Sequence, residues 1–315
     1  MPREDTLRPY LSPEALAQRV EAVADTLGAE VRTYGRSVRG RALEAVRVPG
    51  LVPGLPRVLC SANIHGPEFI GAMTALAVLA SADGDWRIRS RAELWVIPCL
   101  NPDGYARTWE AGGQGPLSDL RTNANGVDLN RNFPRPAPSP SWLPGAGSER
   151  QGDATYRGLR PLSEPETAHL DALCTEQSFH ASANLHSFMG TVIPASVRDT
   201  EAFGTYKELA SALAGAQCHT RYRRLSSRLL DVFTGEQEDH QHHAHRTWAV
   251  CVENFPWLAS MRQHLRAPST FWRFNPRRPQ TWIDNDVPGI QAYFDAALKR
   301  DRPNSPPVGE ALTAG

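Results

Sequence analysis

Pro56-Arg-Val-Leu-Cys-Ser-Ala-Asn-Ile-His-Gly-Pro-Glu-Phe-Ile-Gly-Ala-Met-Thr-Ala-Leu-Ala-Val-Leu-Ala-Ser-Ala82 is the stretch on which the fold turns. Its opening run, Pro56 to Ala62, reads as a short buried strand, and Phe69 to Ala82 as an apolar helix directly after it. The link between them is polar and carries His65 and Glu68. Working outward, Ala92 to Cys99, Ala183 to Phe188 and Trp248 to Glu253 are further short apolar strands, with helices predicted near 163–175 and 201–214. Asn101-Pro-Asp-Gly104 reads as a tight turn. Upstream, residues 13–27 have helical spacing behind Ser12-Pro13, and 29–48 alternate like two strands joined at Gly40. Strands alternating with helices predict an α/β fold: a single domain with a central mixed, largely parallel twisted sheet covered by helices on both faces. The expected organisation is an N-terminal helical segment over 1–34, a main domain over 35–300 and a disordered tail over 301–315. In such sheets function collects outside the carboxyl ends of the strands, and His65, Glu68, His186 and Glu253 all fall there.

Lys plus Arg equals Asp plus Glu at 34 each, with no long block of one sign, which argues against a nucleic-acid track or an anionic membrane surface. No apolar run reaches the length of a spanning helix or a signal peptide, so a cytoplasmic protein is expected. The five cysteines are odd in number and widely spread, against a disulfide framework or zinc ribbon; Cys60, Cys99 and Cys251 sit in strand-like runs as small core residues. Prolines cluster around 134–144 and 302–307, which places a loop and a tail there.

Two segments carry chemistry. His65-Gly-Pro-Glu68 sets an imidazole and a carboxylate three residues apart in a loop, where both can turn toward one point; a third ligand has to come from far away in sequence. Two His plus one carboxylate with an open position is the usual set for a hydrolytic zinc. Arg121-Thr-Asn-Ala-Asn-Gly-Val-Asp-Leu-Asn-Arg-Asn-Phe133 gathers two arginines and four asparagines around one Gly. Guanidinium forks and amides of that kind match a carboxylate, although Asn-Gly is also an ordinary turn signal.

Taken in order, His65-x-x-Glu68, Val127-Asp-Leu-Asn-Arg-Asn-Phe133, Leu185-His-Ser187 and Val252-Glu253 resemble the zinc carboxypeptidase family over roughly residues 35–260. The resemblance implies one Zn2+ per chain held by His65, Glu68 and His186, with Asp128 accepting a hydrogen bond from a ligating His. It makes Glu253 the proton carrier, Arg121 the stabiliser of developing oxyanion charge, and Asn130 with Arg131 the clamp on a substrate's terminal carboxylate. Ser187 is assigned to substrate binding, and Glu238 to the floor of a side-chain pocket that selects basic residues. The implied substrate is a small peptide or peptide-like molecule with a free carboxylate; no nucleic acid or membrane partner is implied, and the oligomeric state stays open.

The departures are specific. With Thr234-Gly235 and Asp239 matched to the family's small-Gly segment and downstream aspartate, the mobile loop tyrosine of digestive members falls at Asp231, and Tyr222 is the nearest upstream. His240 replaces the family's usual Trp. The run Asp239-His-Gln-His-His-Ala-His245 invites a second metal but reads as a partly exposed helix face. The expected function is hydrolysis of a C-terminal amide bond through a metal-activated water. A murein-peptide amidase acting on a γ-D-glutamyl-diamino acid bond and a non-catalytic zinc-bearing binding protein are the alternatives. The Pro-rich loop at 134–144 is a candidate border of the cleft.

Overall fold

The computed structural model describes residues 6–135, 146–225, 234–256 and 261–304. In chain order the elements are α1 (Pro13–Leu27), β1 (Glu30–Arg36), β2 (Ala42–Val48), β3 (Arg57–Ala62), α2 (Phe69–Ala80), β4 (Glu93–Ile97), α3 (Pro102–Glu110) and α4 (Leu117–Arg121). They continue with α5 (Pro165–Gln177), β5 (Ala181–Ser187), β6 (Thr191–Pro194), α6 (Thr200–Ala216), β7 (Arg223–Arg224), α7 (Gln237–His245) and β8 (Trp248–Asn254). Three helices close the chain: α8 (Met261–Leu265), α9 (Phe271–Phe274) and α10 (Pro279–Ala297).

The eight strands form one sheet in the order β1-β2-β4-β3-β5-β8-β6-β7. Its centre, β4-β3-β5-β8, is parallel, while β1, β2 and β6 join antiparallel at the flanks. The mixed, mainly parallel sheet is therefore as the sequence implied. Strand alternation assigns the two faces. Val58, Cys60 and Ala62 of β3 and Leu94 and Val96 of β4 point into a core shared with α1, α2, α6 and α10. Leu59, Trp95 and Ile97 point the other way, onto Leu170, Leu173 and Cys174 of α5 and onto Leu129 and Phe133.

The sequence-based boundary at 34/35 falls inside β1, and α1 is no appendage: Leu16, Val20, Ala24 and Leu27 are buried in the main core. Ser12 caps α1 by accepting from the Ala15 N–H, with Pro13 at the first turn, and Gly28 ends it at φ 59°. Asn101-Pro-Asp-Gly104 is not an isolated turn but the start of α3: Asn101 Oδ1 accepts from the Gly104 N–H at 2.9 Å, and Pro102 occupies the first helical position. Residues 301–303 are tied to the body, since Trp248 Nε1 donates to Asp301 O at 2.8 Å and Arg246 Nε to Pro303 O at 2.9 Å. The predicted tail from 305 onward, Asp231, and residues 136–144 of the Pro-rich loop lie outside the described residues.

Candidate active site

The parallel register brings the site together. Ala62 pairs with Leu185, and His186 with Glu253, so the ends of β3, β5 and β8 open side by side. After β3 the chain turns at Asn63, which adopts φ 57° and donates from Nδ2 to His65 O at 2.7 Å. That bond curls the loop back beneath His65. Glu68 stands at the N-cap of α2 but contributes no side-chain cap. Asn275 takes over from 207 residues away in sequence, accepting from the Ile70 N–H at 2.9 Å and donating to Pro67 O at 2.6 Å. The Glu68 carboxylate is thereby left for the site.

His65 Nδ1 lies 2.9 Å from Glu68 Oε1, and His186 Nδ1 lies 3.2 Å from Glu68 Oε2 and 3.2 Å from His65 Nδ1. A tetrahedral ion with bonds of about 2.0–2.1 Å sets its ligand atoms roughly 3.3 Å apart, so these three buried atoms are spaced as the edges of one coordination face. The donor set fits zinc. Asp128 Oδ1 lies 3.1 Å from His65 Nε2, which places the imidazole proton on Nε2 and frees Nδ1 as a ligand. Burial by itself would raise Glu68, but the facing His65 and His186 outweigh it and hold the carboxyl down at about 2. Burial acts against Asp128 too, and Arg121 and His65 overcome it, keeping Asp128 well below the usual carboxylate range.

Arg121 ends α4 and donates from Nε to Asp128 Oδ2 at 2.8 Å, so one carboxylate orients both a ligand and a guanidinium. Glu253 is the opposite case. Its Oε2 is buried without a hydrogen-bond partner, and burial followed by the charge of Glu68 pushes the group up to about 8. A carboxyl so placed exchanges its proton near neutrality.

Asn130 and Arg131 follow Asp128, whose Oδ1 accepts from the Asn130 N–H at 3.0 Å. Asn130 Oδ1 accepts from the Gln237 N–H at 2.9 Å, leaving the amide nitrogen as the donor end. Arg131 Nη1 donates to Asn130 O at 2.6 Å and lies 3.2 Å from Glu236 Oε1. Glu236 was missed in the sequence. Its signal is weak, an acid two residues before Glu238, and its partner lies 105 positions away. Gly235 makes the approach possible: it sits at φ 75°, and a Cβ there would stand 2.6 Å from Arg131 O. Ser187, expected to bind substrate, donates its backbone N–H to Glu68 Oε2 at 3.2 Å, while its hydroxyl is buried without a partner.

Glu238 lies in the first turn of α7 with both carboxylate oxygens buried and unpartnered, and burial, then Glu236 and Asp239, push it well above the usual carboxylate range. The helix is partly exposed as expected at its C-terminal end, where His243 and His245 are half-buried and Ala244 is exposed, whereas Gln237 through His242 are all buried. Polar residues tolerate that position because the sheet beneath is polar as well. Gln237 Nε2 donates to Ser61 Oγ at 2.9 Å and to Asn184 Oδ1 at 3.0 Å, and Asn184 Nδ2 donates to Gln241 Oε1 at 3.0 Å. Tyr222 is also buried, its hydroxyl donating to Asp286 Oδ2 at 3.0 Å and accepting from the Phe255 N–H at 3.1 Å. It is an anchored residue and no substitute for a mobile loop tyrosine.

Among known proteins, carboxypeptidase D of Drosophila melanogaster is 32% identical over 185 residues, 55% of this chain and 12% of the relative. The carboxypeptidase N catalytic chain of Mus musculus is 33% identical over 168 residues, 48% of this chain and 36% of the relative. Murein peptide amidase A of Escherichia coli K12 is 33% identical over 148 residues, 45% of this chain and 51% of the relative. The chain thus spans about half, or less, of the length of these relatives. Bovine thrombin-activatable fibrinolysis inhibitor, solved in complex with tick carboxypeptidase inhibitor, shares the fold at TM-score 0.72 and 18% identity, over 92% of this chain and 98% of that one. Carboxypeptidase A of Helicoverpa armigera does so at TM-score 0.71 and 19% identity, over 92% and 74%. Residues 18–254, carrying all the converging groups above, match the zinc carboxypeptidase family, and the chain belongs to that family.

Proposed function

We propose that the protein is a zinc-dependent carboxypeptidase that hydrolyses the C-terminal amide bond of a peptide or peptide-like substrate with a free carboxylate. The observation that carries this reading is the convergence of His65 Nδ1, Glu68 and His186 Nδ1 beside a half-buried Glu253, whose Oε2 is buried without a partner, and a fixed Arg121. His65, Glu68 and His186 would hold one zinc ion, which would supply Lewis acidity toward a water and the scissile carbonyl. Glu253 accepts the proton released as the bond is attacked and returns it to the departing amine, a task suited to a carboxyl that burial lifts above the usual carboxylate range. Arg121, held at Nε by Asp128, meets the negative charge that develops on the carbonyl oxygen. Asn130 and Arg131 receive the terminal carboxylate, and Ser187 presents its hydroxyl to the bound molecule.

Glu238 adds a preference for a basic terminal side chain. A cationic group is the natural partner for a buried carboxylate whose two oxygens have none. A second reading, cleavage of a γ-D-glutamyl-diamino acid bond, is favoured by the similarity to murein peptide amidase A and by the same acid, which suits an amino-bearing side chain. A non-catalytic binding role is disfavoured by the retained Glu253. No helix of the described residues is long and apolar enough to cross a membrane. A cytoplasmic location belongs to the same reading, supported by five cysteines that are all unpaired.

The test is release of C-terminal residues from acyl-dipeptides and cell-wall tripeptides by purified protein, with Glu253→Gln as control. Zinc-dependent release that the variant abolishes supports the hydrolase; tight zinc with no turnover on any member of the panel rejects it. Hippuryl-arginine should exceed hippuryl-phenylalanine, with the difference gone in Glu238→Gln. Equal rates in the unmodified protein would remove the specificity assignment alone.

A further inference from the structure

We propose that Asp171, His240 and His245 form a second site for a divalent transition-metal ion of the zinc class, separate from His65, Glu68 and His186. From sequence the histidine run reads as a partly exposed helix face, with His242 and His245 the pair that helical spacing puts on one side. The geometry selects a different pair. His242 Nδ1 is committed to the Tyr206 hydroxyl at 2.9 Å, and His243 Nε2 to Ser196 O at 2.8 Å. His240 Nε2 and His245 Nε2 instead converge on one atom, Asp171 Oδ1, at 2.6 and 2.8 Å. Asp171 lies on α5, 69 positions before His240, so no local motif announces it.

The two imidazoles stand with ring centroids 5.0 Å apart and planes at 89°, edge to face, with both Nε2 atoms on the same carboxylate oxygen. Two imidazole nitrogens and a carboxylate oxygen are a complete protein ligand set for zinc, with further positions left to water. The side chains of His240 and His245 are 8% and 9% exposed while that of Asp171 is 29% exposed, so the site is walled by the histidines and opens to solvent beside the carboxylate. That opening gives an ion a path and room for water. Coordination asks the three atoms to part to roughly 3.3 Å. Asp171, the most exposed of the three, is the ligand with the most room to give.

An ion here fastens α5 to α7. The second of these carries Gln237, which orients Asn130, and Glu238; Phe133 stacks on His240 with centroids 5.5 Å apart. The site is thus a metal clip on the helix that shapes the substrate end of the cleft.

The experiment counts metal in the full chain after equilibration with zinc and dialysis, using the unmodified protein, Glu68→Ala, His245→Gln and Asp171→Asn. Two equivalents are expected in the unmodified protein and one in each variant. A cobalt titration of Glu68→Ala should give visible d–d absorption from a second, nitrogen-bearing site that is lost in Glu68→Ala/His245→Gln. Zinc should raise the unfolding midpoint of Glu68→Ala and leave that of the double variant unchanged. One equivalent in the unmodified protein and in His245→Gln, with no cobalt spectrum in Glu68→Ala, overturns the second site and reduces the triad to hydrogen bonds; it leaves the hydrolase reading intact. One equivalent retained in Glu68→Ala but absent from Glu68→Ala/His245→Gln upholds the clip whatever the fate of hydrolysis.

Discussion

Replacing Gly66 with Ala tests whether the space behind the ligand loop, rather than the ligands themselves, sets metal affinity. A Cβ at this position would stand 2.7 Å from Gly104 O and closer still to Leu120 O, where ordinary contact begins at 3.4 Å. Both obstacles are backbone. Gly104 is fixed by the Asn101 cap of α3, and the Leu120 carbonyl lies in α4 just before Arg121, whose own O accepts from the Gly66 N–H at 3.2 Å. Neither can rotate aside as a side chain would, so the His65–Glu68 loop has to move by about 0.7 Å or more. Overpacking of this kind costs about 1–3 kcal/mol, and rigid neighbours put Gly66→Ala at the upper end, roughly 4–5 °C in unfolding midpoint for a chain of 315 residues. Ligand distances tolerate only about 0.2 Å, so a displaced His65 and Glu68 should weaken zinc by at least about tenfold. Chelator competition for zinc and thermal unfolding with and without metal measure the two effects separately. A variant with unchanged zinc affinity and unchanged midpoint would refute the reasoning, because it would mean that the loop has slack the coordinates deny.

Asp128→Asn should lower zinc affinity by about 10- to 100-fold in chelator competition, since it removes the charge that fixes His65 and steers Arg121. Glu236→Gln frees Arg131 from its buried partner and should lower KM for free-carboxylate substrates by on the order of tenfold with kcat nearly constant; a raised KM would show that Glu236 positions Arg131 instead of competing for it. Burial pushes Asp286 from 3.8 up to about 7, despite bonds from Tyr222, Asn285 and Gln217. Its folded form keeps a proton that the unfolded chain has lost, so this contribution to stability is full below about pH 4 and is lost as pH rises through 7. The gap corresponds to roughly 4 kcal/mol, and Asp286→Asn should gain on the unmodified protein by up to that amount between pH 4 and pH 8 in denaturant titrations. Parallel pH profiles would rule this out.

Periodicity reached the sheet because each central strand is buried on both faces and so reads as an unbroken apolar run: Arg57–Ala62, Glu93–Ile97, Ala181–Ser187 and Trp248–Asn254 all lie where such runs stand. It did not reach α10, whose inner Pro288 breaks the pattern, and it mistook the cap of α3 for a turn because Asn-Pro-x-Gly serves both uses. The site divides along the same line. His65 and Glu68 share one loop and were legible locally, whereas His186 and Glu253 join them only through strand register, which the family resemblance stood in for. Polar helices are the harder case. Nothing in Gln237-Glu-Asp-His-Gln-His242 says that it is buried, because the reason lies in Ser61 and Asn184 on strands read as apolar. Once the sheet supplies those partners, every polar side chain left over on α7 has to be accounted for, and two of its histidines are accounted for only by Asp171. A run of histidines is therefore read through the carboxylate it faces, and here that carboxylate lies on α5, beyond the reach of any spacing rule applied to the run itself.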